Sequence, residues 1–370
     1  MFQSIYVHFP FCEAKCHYCD FYSLGREKTK TGDPDLFEQA LRVESELSTD
    51  FLAPTLETLF FGGGTPSMTT YDSMARALEP LALQSRLTPQ TEWTLEANPS
   101  SVDLESLKAY RRFGINRISM GVQSLQPELL TKLGRVHTRN TALKSLETLF
   151  KAGFEQVSVD LLCGVPGQSY ADIEESLTLL TQFPITHLSC YLLTLAKNHK
   201  LARDLPDEDT QLSHLLFVHN WMEKRGFEHY EISNYSLPGK RARHNLRYWQ
   251  HESYLGLGPS AHSYDSVKQQ RWKNSSSLHR YADQLLTRRE RPIEWTENLT
   301  PEQLKLEEWM LSLRLAEGFP LEWLNTSQRQ HQARTFEIQG LLEPHPQQTG
   351  RLRLTPKGFA LSDQVIAGLA

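Results

Sequence analysis

Short runs of apolar residues without regular polar alternation recur along the first half of the chain. This pattern is typical of parallel strands that are buried on both faces. Between the runs, apolar residues recur every three or four positions, as at 34–51, where Phe37, Ala40 and Leu41 mark one face of a helix. We predict strands at 4–8, 58–61, 92–95, 117–120, 156–162 and 187–192.

Strands that alternate with helices predict an α/β fold with a parallel sheet, curved or closed, and helices outside it. Binding sites in such folds lie at the carboxyl ends of the strands. We therefore expect residues 1–235 to form one domain, with its chemistry in the segments that follow the strands.

The alternation stops at about residue 235. The segment 236–290 starts with a basic, aromatic stretch, GKRARHNLRYW, and continues with a glycine-rich loop, YLGLGPSAHSY. We interpret it as a connecting segment.

A separate module is predicted at 291–370. Its first helix has Thr300 as N-cap, Pro301 in the first turn and Gly318 as its stop. The turn, strand and closing helix that follow give the outline of a winged helix. Acidic residues slightly outnumber basic ones in this module, so we do not expect it to bind DNA and interpret it as a lid or packing domain.

Composition narrows the function. The 370 residues carry a net charge of −5, which argues against a general nucleic-acid coat, and no apolar run reaches the ~18 residues of a membrane span. The first residues resemble a strand and not a signal peptide. Five cysteines without an export signal indicate a reducing compartment, so we expect a cytoplasmic protein whose clustered thiols serve metal or redox chemistry.

Three cysteines, Cys12, Cys16 and Cys19, follow the first strand with the spacing C-x3-C-x2-C. Iron–sulfur clusters are held by thiolates on such short loops, and three thiolates on a four-iron cube leave one iron open. A zinc site that takes His8 or His17 as its fourth ligand is the alternative. The remaining cysteines, 163 and 190, lie on separate predicted strands and are expected to be buried apolar thiols.

Glycine or polar residues follow the other strands. The run GGGTP at 62–66 would let the backbone approach a ligand closely, or form a tight turn. Glu96 could accept a charge-assisted hydrogen bond from an ammonium group, or be a solvated loop carboxylate. Asp160 lies inside an apolar strand and needs a partner, either a ribose hydroxyl or a nearby arginine.

The blocks YVHFPFCEAKCHYCDF, FFGGGTPS, LEANP, ISMGVQS and VDLLCGVPGQ resemble, in this order, those of the anaerobic coproporphyrinogen III oxidases and their relatives within the radical SAM proteins. The resemblance covers nearly the whole chain, including the C-terminal module. It implies a partial (β/α)6 TIM-like barrel with a small winged-helix-like α+β module at its C-terminus. It also implies a [4Fe-4S] cluster on the three cysteines, whose open iron binds S-adenosylmethionine (SAM) and cleaves it to a 5′-deoxyadenosyl radical.

The same resemblance implies a set of SAM contacts. They are Tyr6, Tyr18, Gly63, Gly64, Thr65, Glu96, Gln123, Arg135 and Asp160, with Thr194 and His262 as further members.

Two features separate this chain from the oxidases and make it similar to their sister group, the haem chaperones. The oxidases carry a fourth cysteine where this chain has Phe21, and their long N-terminal arm has no counterpart before Cys12. The sister group carries the motif H-N-x-x-Y-W, found here as His244, Asn245, Tyr248 and Trp249.

This motif suits haem on chemical grounds. Imidazole is a common axial ligand of haem iron, and the two aromatic rings offer flat faces to a macrocycle. Lys240, Arg241, Arg243 and Arg247 could pair with the propionates. Alternatively, His-Asn caps a turn and Tyr-Trp belongs to the core.

The resemblance implies a haem chaperone that transfers haem to apo-haemoproteins, such as respiratory enzymes at the inner face of the membrane. Its other partner would be an electron donor of the flavodoxin type. No nucleic acid is expected as a partner. The alternative is an oxygen-independent coproporphyrinogen III oxidase of porphyrin biosynthesis. Whether the chain is an enzyme stays open at this point, because its oxidoreductase-like fold lacks features that the oxidases use.

Overall fold

The computed structural model describes residues 1–370. The strands are β1 Ser4–Phe9, β2 Phe11–Cys12, β3 Leu24–Gly25, β4 Thr58–Gly63, β5 Glu92–Ala97, β6 Arg117–Gln123, β7 Gln156–Cys163, β8 His187–Leu192, β9 Glu228–Glu231, β10 Asn234–Ser236, β11 Leu255–Leu257, β12 His262–Asp265, β13 Gln270–Asn274, β14 Ile293–Asn298, β15 Phe319–Pro320, β16 Leu342–Pro344 and β17 Arg351–Leu354. The helices are α1 Asp33–Ser48, α2 Tyr71–Leu78, α3 Leu83–Arg86, α4 Leu104–Phe113, α5 Pro127–Leu133, α6 Arg139–Lys151, α7 Tyr170–Leu180, α8 Glu208–Glu223, α9 Arg243–Trp249, α10 Leu278–Leu286, α11 Pro301–Ser312, α12 Ser327–Ile338, α13 Pro356–Ala360 and α14 Ser362–Leu369. None of the helices combines the length and the apolarity that a membrane span needs.

The chain forms two compact units that alternate along the sequence. Unit 1 comprises Met1–Asp160, Glu175–Ile185 and Glu252–Asn298. Unit 2 comprises Leu161–Glu174, Thr186–His251 and Leu299–Ala370.

Unit 1 contains a parallel sheet with helices between its strands. Its strands lie in the order β11, β1, β4, β5, β6, β7, and the pairs from β11 to β6 are parallel. All six strands predicted from the sequence exist, and five of them run one to three residues further than predicted. Strand β11 was not predicted, because its glycine-rich sequence was interpreted as a loop.

One face of the sheet in unit 1 carries a row of small and polar residues. Parallel pairing places His8 beside Gly62 and Glu96 beside Ser119. The Ser119 hydroxyl donates to Asp160 on β7 at 3.1 Å. Because residues paired across parallel strands point to the same face, these side chains lie in one row, within an otherwise apolar set of strands.

Unit 2 contains the C-terminal module and its own core. Strands β15, β17 and β16 form an antiparallel sheet in that order. The core beside it includes Trp309, Leu313, Phe319, Phe336, Leu341, Leu354, Phe359 and Val365.

The first helix of this module begins as predicted. Thr300 accepts a hydrogen bond from the Gln303 backbone, and the Gln303 side chain accepts one from the Thr300 N–H, which is a capping box. The predicted end at Gly318 is wrong, since the helix ends at Ser312. The chain turns there and Leu313 enters the core, so Gly318, with φ of +58°, serves a later turn into β15.

Candidate functional site

The cysteine loop is fixed to the end of α5. The His17 N–H donates to the Leu133 carbonyl at 3.1 Å, and His17 Nδ1 donates to the Lys132 carbonyl at 2.9 Å. Gly134, with φ of +71°, lies under the imidazole, where a Cβ would come within 3.0 Å of the ring. These contacts fix the position of the loop against the end of α5.

The thiols of the loop receive hydrogen bonds from outside it. Arg135 Nη1 donates to Cys16 Sγ at 3.3 Å, and the Thr65 hydroxyl donates to Cys12 Sγ at 3.6 Å. Burial raises the pKa of Cys12 and of Cys19. Such thiols stay protonated until a metal takes them as thiolates.

Three thiols on one loop fit an iron–sulfur cluster. No group of three or more His, Cys, Asp or Glu side chains is arranged to hold a single metal ion, and a four-iron cube gives each thiolate its own iron. Of the two candidate histidines for a zinc site, His8 has both ring nitrogens engaged in hydrogen bonds, to Tyr6 and to Tyr22. His8 Nε2 donates to the Tyr22 carbonyl at 2.8 Å, whereas the bond of His17 to the Lys132 carbonyl uses Nδ1.

The glycine run brings the backbone close to both β1 and the cysteine loop. Gly63 has φ of +107°, and a Cβ on it would lie 2.5 Å from the His8 ring. A Cβ on Gly64 would lie 2.6 Å from the Phe11 carbonyl oxygen. A residue with a side chain at either position would push this backbone away from β1 and β2. Glycine is therefore required here because the backbone segments lie so close together.

Glu96 is a carboxyl group poised for a cation. Its Oε2 accepts a hydrogen bond from the Gly63 N–H at 3.0 Å. Burial and then the charge of Asp160 raise the pKa of Glu96 to about 8. An ammonium group beside Glu96 would relieve both effects, because it favours the ionised form.

Tyr6 and His8 lie next to this carboxyl. The Tyr6 hydroxyl donates to His8 Nδ1 at 3.0 Å, since His8 Nε2 carries the proton that bonds to Tyr22. Burial lowers the pKa of His8 to about 4, so the imidazole is neutral. Burial and the charge of Glu96 raise the pKa of Tyr6 well above its ordinary value.

Arg135 and Gln123 meet at the end of β6. Arg135 Nη2 donates to Asn98 Oδ1 at 2.6 Å and also to the Gly121 carbonyl. Gln123 has φ of +65°, a left-handed conformation that costs free energy for a residue with a side chain. Its amide lies over Gly121, where a Cβ would be 3.1 Å from Gln123 Nε2.

The remaining predicted SAM residues lie in different surroundings. Tyr18 is packed beside Cys16 and Arg135, and burial raises its pKa. His262 begins β12 and lies near enough to His8 to contribute to the lowering of the His8 pKa. Thr194 belongs to unit 2, where it is exposed and donates to the Leu192 carbonyl at 3.4 Å.

Asn98 and Ser119 take part in this site although the sequence reasoning did not select them. Asn98 lies two residues after Glu96, and Ser119 lies four residues before Gln123. Because strand side chains alternate between faces, these even spacings from predicted site residues were a usable signal.

The H-N-x-x-Y-W motif forms α9 in unit 2. His244 is fully buried (0% exposed), and its Nε2 lies 2.8 Å from the Tyr248 hydroxyl. Burial lowers the pKa of His244 to about 3, so the ring is neutral. The Arg314 guanidinium lies 5.4 Å from the ring centre of Trp249. Asn245 is half-buried on the same helix.

The start of α9 is held by the end of β9. The Ala242 N–H donates to the Tyr230 hydroxyl at 3.2 Å. Arg241, expected to meet a haem propionate, is instead paired with Glu317 at 2.6 Å and Glu228 at 3.3 Å. Carboxylates distant in sequence thus neutralise part of the basic stretch.

Three features together define the radical SAM class. They are a parallel sheet, a loop with three cysteines after β1, and a glycine run after β4. The chain matches the Radical SAM superfamily over residues 6–180. More narrowly, the chain belongs to the HemW family. It is 35% identical to the haem chaperone HemW of Mycobacterium tuberculosis (strain ATCC 25618 / H37Rv) over 99% of this chain and 94% of that protein. It is 33% identical to HemW of Lactococcus lactis over 98% and 96% of the two chains.

The solved structure of coproporphyrinogen III oxidase from Escherichia coli has the same fold. It matches with a TM-score of 0.83 over 99% of this chain and 89% of that one, at 19% identity. This likeness confirms the predicted fold class, a partial (β/α)6 barrel with a winged-helix-like module. Membership of the radical SAM superfamily also confirms the prediction of a [4Fe-4S] cluster and SAM as cofactors.

Proposed function

We propose that this protein is a haem chaperone, which binds haem and transfers it to acceptor apo-haemoproteins. The motif helix carries the proposal. In a chain of the HemW family, α9 carries a buried, neutral imidazole, a tyrosine and a tryptophan within one and a half turns. Phe21 at the position of the fourth cysteine of the oxidases argues in the same direction.

His244 would supply the axial ligand to haem iron. Its lowered pKa means that no proton has to leave before the imidazole can bind a metal. Its Nε2 faces the Tyr248 hydroxyl, so this tyrosine has to move aside for the iron to approach. Tyr248 and Trp249 would then flank the macrocycle, with Asn245 beside them, and Arg243 is exposed on the same helix for a propionate.

We further propose the residues that hold the other cofactors. Cys12, Cys16 and Cys19 would hold the cluster, which supplies an open iron for SAM and a single electron. Glu96 would accept from the SAM ammonium and Asp160 from a ribose hydroxyl. Further contacts would come from Tyr6, Tyr18, Gly63, Gly64, Thr65, Gln123, Arg135, Thr194 and His262.

We also propose a role for each segment of the chain and the partners of the protein. Residues 1–235 would hold the cluster and SAM, 236–290 the haem motif, and 291–370 would act as a lid. Acceptors would include respiratory enzymes at the inner face of the membrane, where the chaperone would dock peripherally. A flavodoxin-type protein would reduce the cluster.

Haem titration of the anaerobically reconstituted protein tests the chaperone proposal. We expect stoichiometric binding by the wild type and, in His244→Ala, weakened binding or a changed absorbance band. His331→Ala removes an exposed histidine of unit 2 and should bind like the wild type. Equal, weak binding by all three proteins would make the motif structural and defeat the proposal.

A further inference from the structure

Two cluster cysteines are joined by a chain of hydrogen bonds that runs through side chains outside the cysteine loop. Thr65 Oγ1 lies 3.6 Å from Cys12 Sγ and 2.8 Å from Asn98 Nδ2. Asn98 Oδ1 accepts from Arg135 Nη2 at 2.6 Å, and Arg135 Nη1 donates to Cys16 Sγ at 3.3 Å. We call these five residues the hydrogen-bond chain.

The direction of each bond in this chain follows from chemistry. A guanidinium can only donate, so the Asn98 atom that faces Arg135 must be its oxygen. The Asn98 nitrogen therefore faces Thr65 and donates to the hydroxyl oxygen. With that oxygen engaged as acceptor, the Thr65 hydrogen is left to point at Cys12. The orientation of the Asn98 amide thus directs one hydrogen-bond donor to the sulfur of Cys12 and another to the sulfur of Cys16.

We propose that Asn98 is a positioning residue that tunes the reduction potential of the cluster by aiming Thr65 and Arg135 at the sulfurs of Cys12 and Cys16. The inference rests on the assignment of the cluster to these cysteines. Asn98 itself touches neither sulfur, so it acts through its two neighbours.

The physical reason lies in the charge that reduction adds. A low-potential one-electron donor transfers one electron to the cluster, no proton follows, and the added negative charge spreads over iron and sulfur. Hydrogen bonds to the sulfurs stabilise the more negative state and raise the potential. Loss of either donor should therefore make the cluster harder to reduce.

Asn98→Asp is the sharpest test, because it keeps the shape of the side chain and reverses one bond. Both carboxylate oxygens accept, so the Thr65 hydrogen turns away from Cys12 towards Asp. The new charge also draws Arg135 from Cys16. We expect a full complement of iron and a midpoint potential that is more negative than that of the wild type, measured by anaerobic redox titration with dithionite and electron paramagnetic resonance.

Two comparisons isolate the role of Asn98. Asn140→Asp adds the same charge at an exposed position of α6 and should leave the potential unchanged. Thr65→Val removes the donor to Cys12 while keeping the volume. If Asn98 acts through Thr65, Asn98→Asp should shift the potential less in the Thr65→Val background than in the wild type, as a double-mutant cycle measures.

Three results would count against the inference, and they are distinguishable. An Asn98→Asp protein with full iron content and the potential of the wild type would overturn it. Additive shifts in the double variant would show that Asn98 does not act through Thr65. Wild-type protein that assembles no cluster would overturn the cluster assignment itself.

Discussion

Glu96 shows how one residue links the fold to ligand affinity. Burial and the charge of Asp160 raise its pKa to about 8, so the carboxyl is mostly protonated at neutral pH. An ammonium ligand prefers the ionised form, and binding below pH 8 must therefore release a proton. We predict that SAM affinity rises between pH 6 and pH 7.5, by at most about tenfold per pH unit. Isothermal titration calorimetry at several pH values measures the affinity. The pH values are chosen so that the amino group of SAM stays protonated.

Glu96→Gln separates the carboxyl from other titrating groups. It should bind SAM about ten- to a hundredfold more weakly, because a charge-assisted hydrogen bond contributes about 1.5–3 kcal/mol. Its affinity should also lose the pH dependence. Glu105→Gln, at an exposed carboxylate of α4, should behave as the wild type. A pH dependence that Glu96→Gln retains would assign the titration to another group.

At the scale of elements, buried Glu44 holds α1 against a later segment of unit 1. Its carboxylate accepts from Gly258 N at 2.7 Å, Tyr281 Oη at 2.6 Å and Asn274 Nδ2 at 2.6 Å. Glu44→Ala removes the acceptor of three buried hydrogen bonds and leaves the Gly258 N–H and the Tyr281 hydroxyl without this partner, at about 1–3 kcal/mol each. We predict a loss of about 3 kcal/mol or more in the free energy of unfolding, measured by urea denaturation.

The neighbouring helix residue Glu46 is the control for that measurement. Its carboxylate is partly exposed and pairs with Arg42 and Arg289 at the surface. Glu46→Ala should cost no more than about 1 kcal/mol, since surface ion pairs contribute little. Equal effects of the two substitutions would mean that the buried contacts do not anchor this segment.

The strands show which part of the fold the sequence could predict. Uninterrupted apolar runs predicted six strands, but their ends were placed too early where Gly63, Glu96 and Gln123 continue the strand. A criterion based on apolar residues stops at the polar residues that carry the chemistry. Strand β11 is short and glycine-rich, and only its pairing with β1 makes it a strand.

At the scale of the whole molecule, the candidate site unites segments far apart in the sequence. Resemblance supplied Arg135 as a SAM contact, whereas the structure also places it against Cys16, 119 residues earlier. The spacing of Asn98 from Glu96 indicates only that the two residues share a face, whereas the contacts of Asn98 with Thr65 and Arg135 are encoded by no local pattern. The pairing of Arg241 with Glu228 and Glu317 was equally invisible, since the second carboxylate comes from the C-terminal module.

Fold similarity cannot decide between haem carriage and tetrapyrrole chemistry, because the E. coli oxidase shares this fold at a TM-score of 0.83. The HemW relatives favour haem carriage, and the resemblance implies that the oxidases carry a thiol at the position of Phe21, which is 69% exposed. A phenyl ring can neither give up a proton nor bind a metal. We therefore predict that the reconstituted protein, supplied with SAM and dithionite without oxygen, leaves coproporphyrinogen III unchanged in mass spectrometry.

The E. coli oxidase, assayed in parallel, should remove two carboxyl groups from the same substrate and so prove the assay. Loss of that mass with this protein as well would show that its chemistry does not need the missing thiol, and would return it to the oxidases. An unchanged substrate mass, together with haem binding that depends on His244, would support a haem chaperone. The cluster and SAM would then act in haem transfer and not in decarboxylation. Phe21→Cys alone should not create oxidase activity, since the substrate site of an oxidase involves more than one side chain.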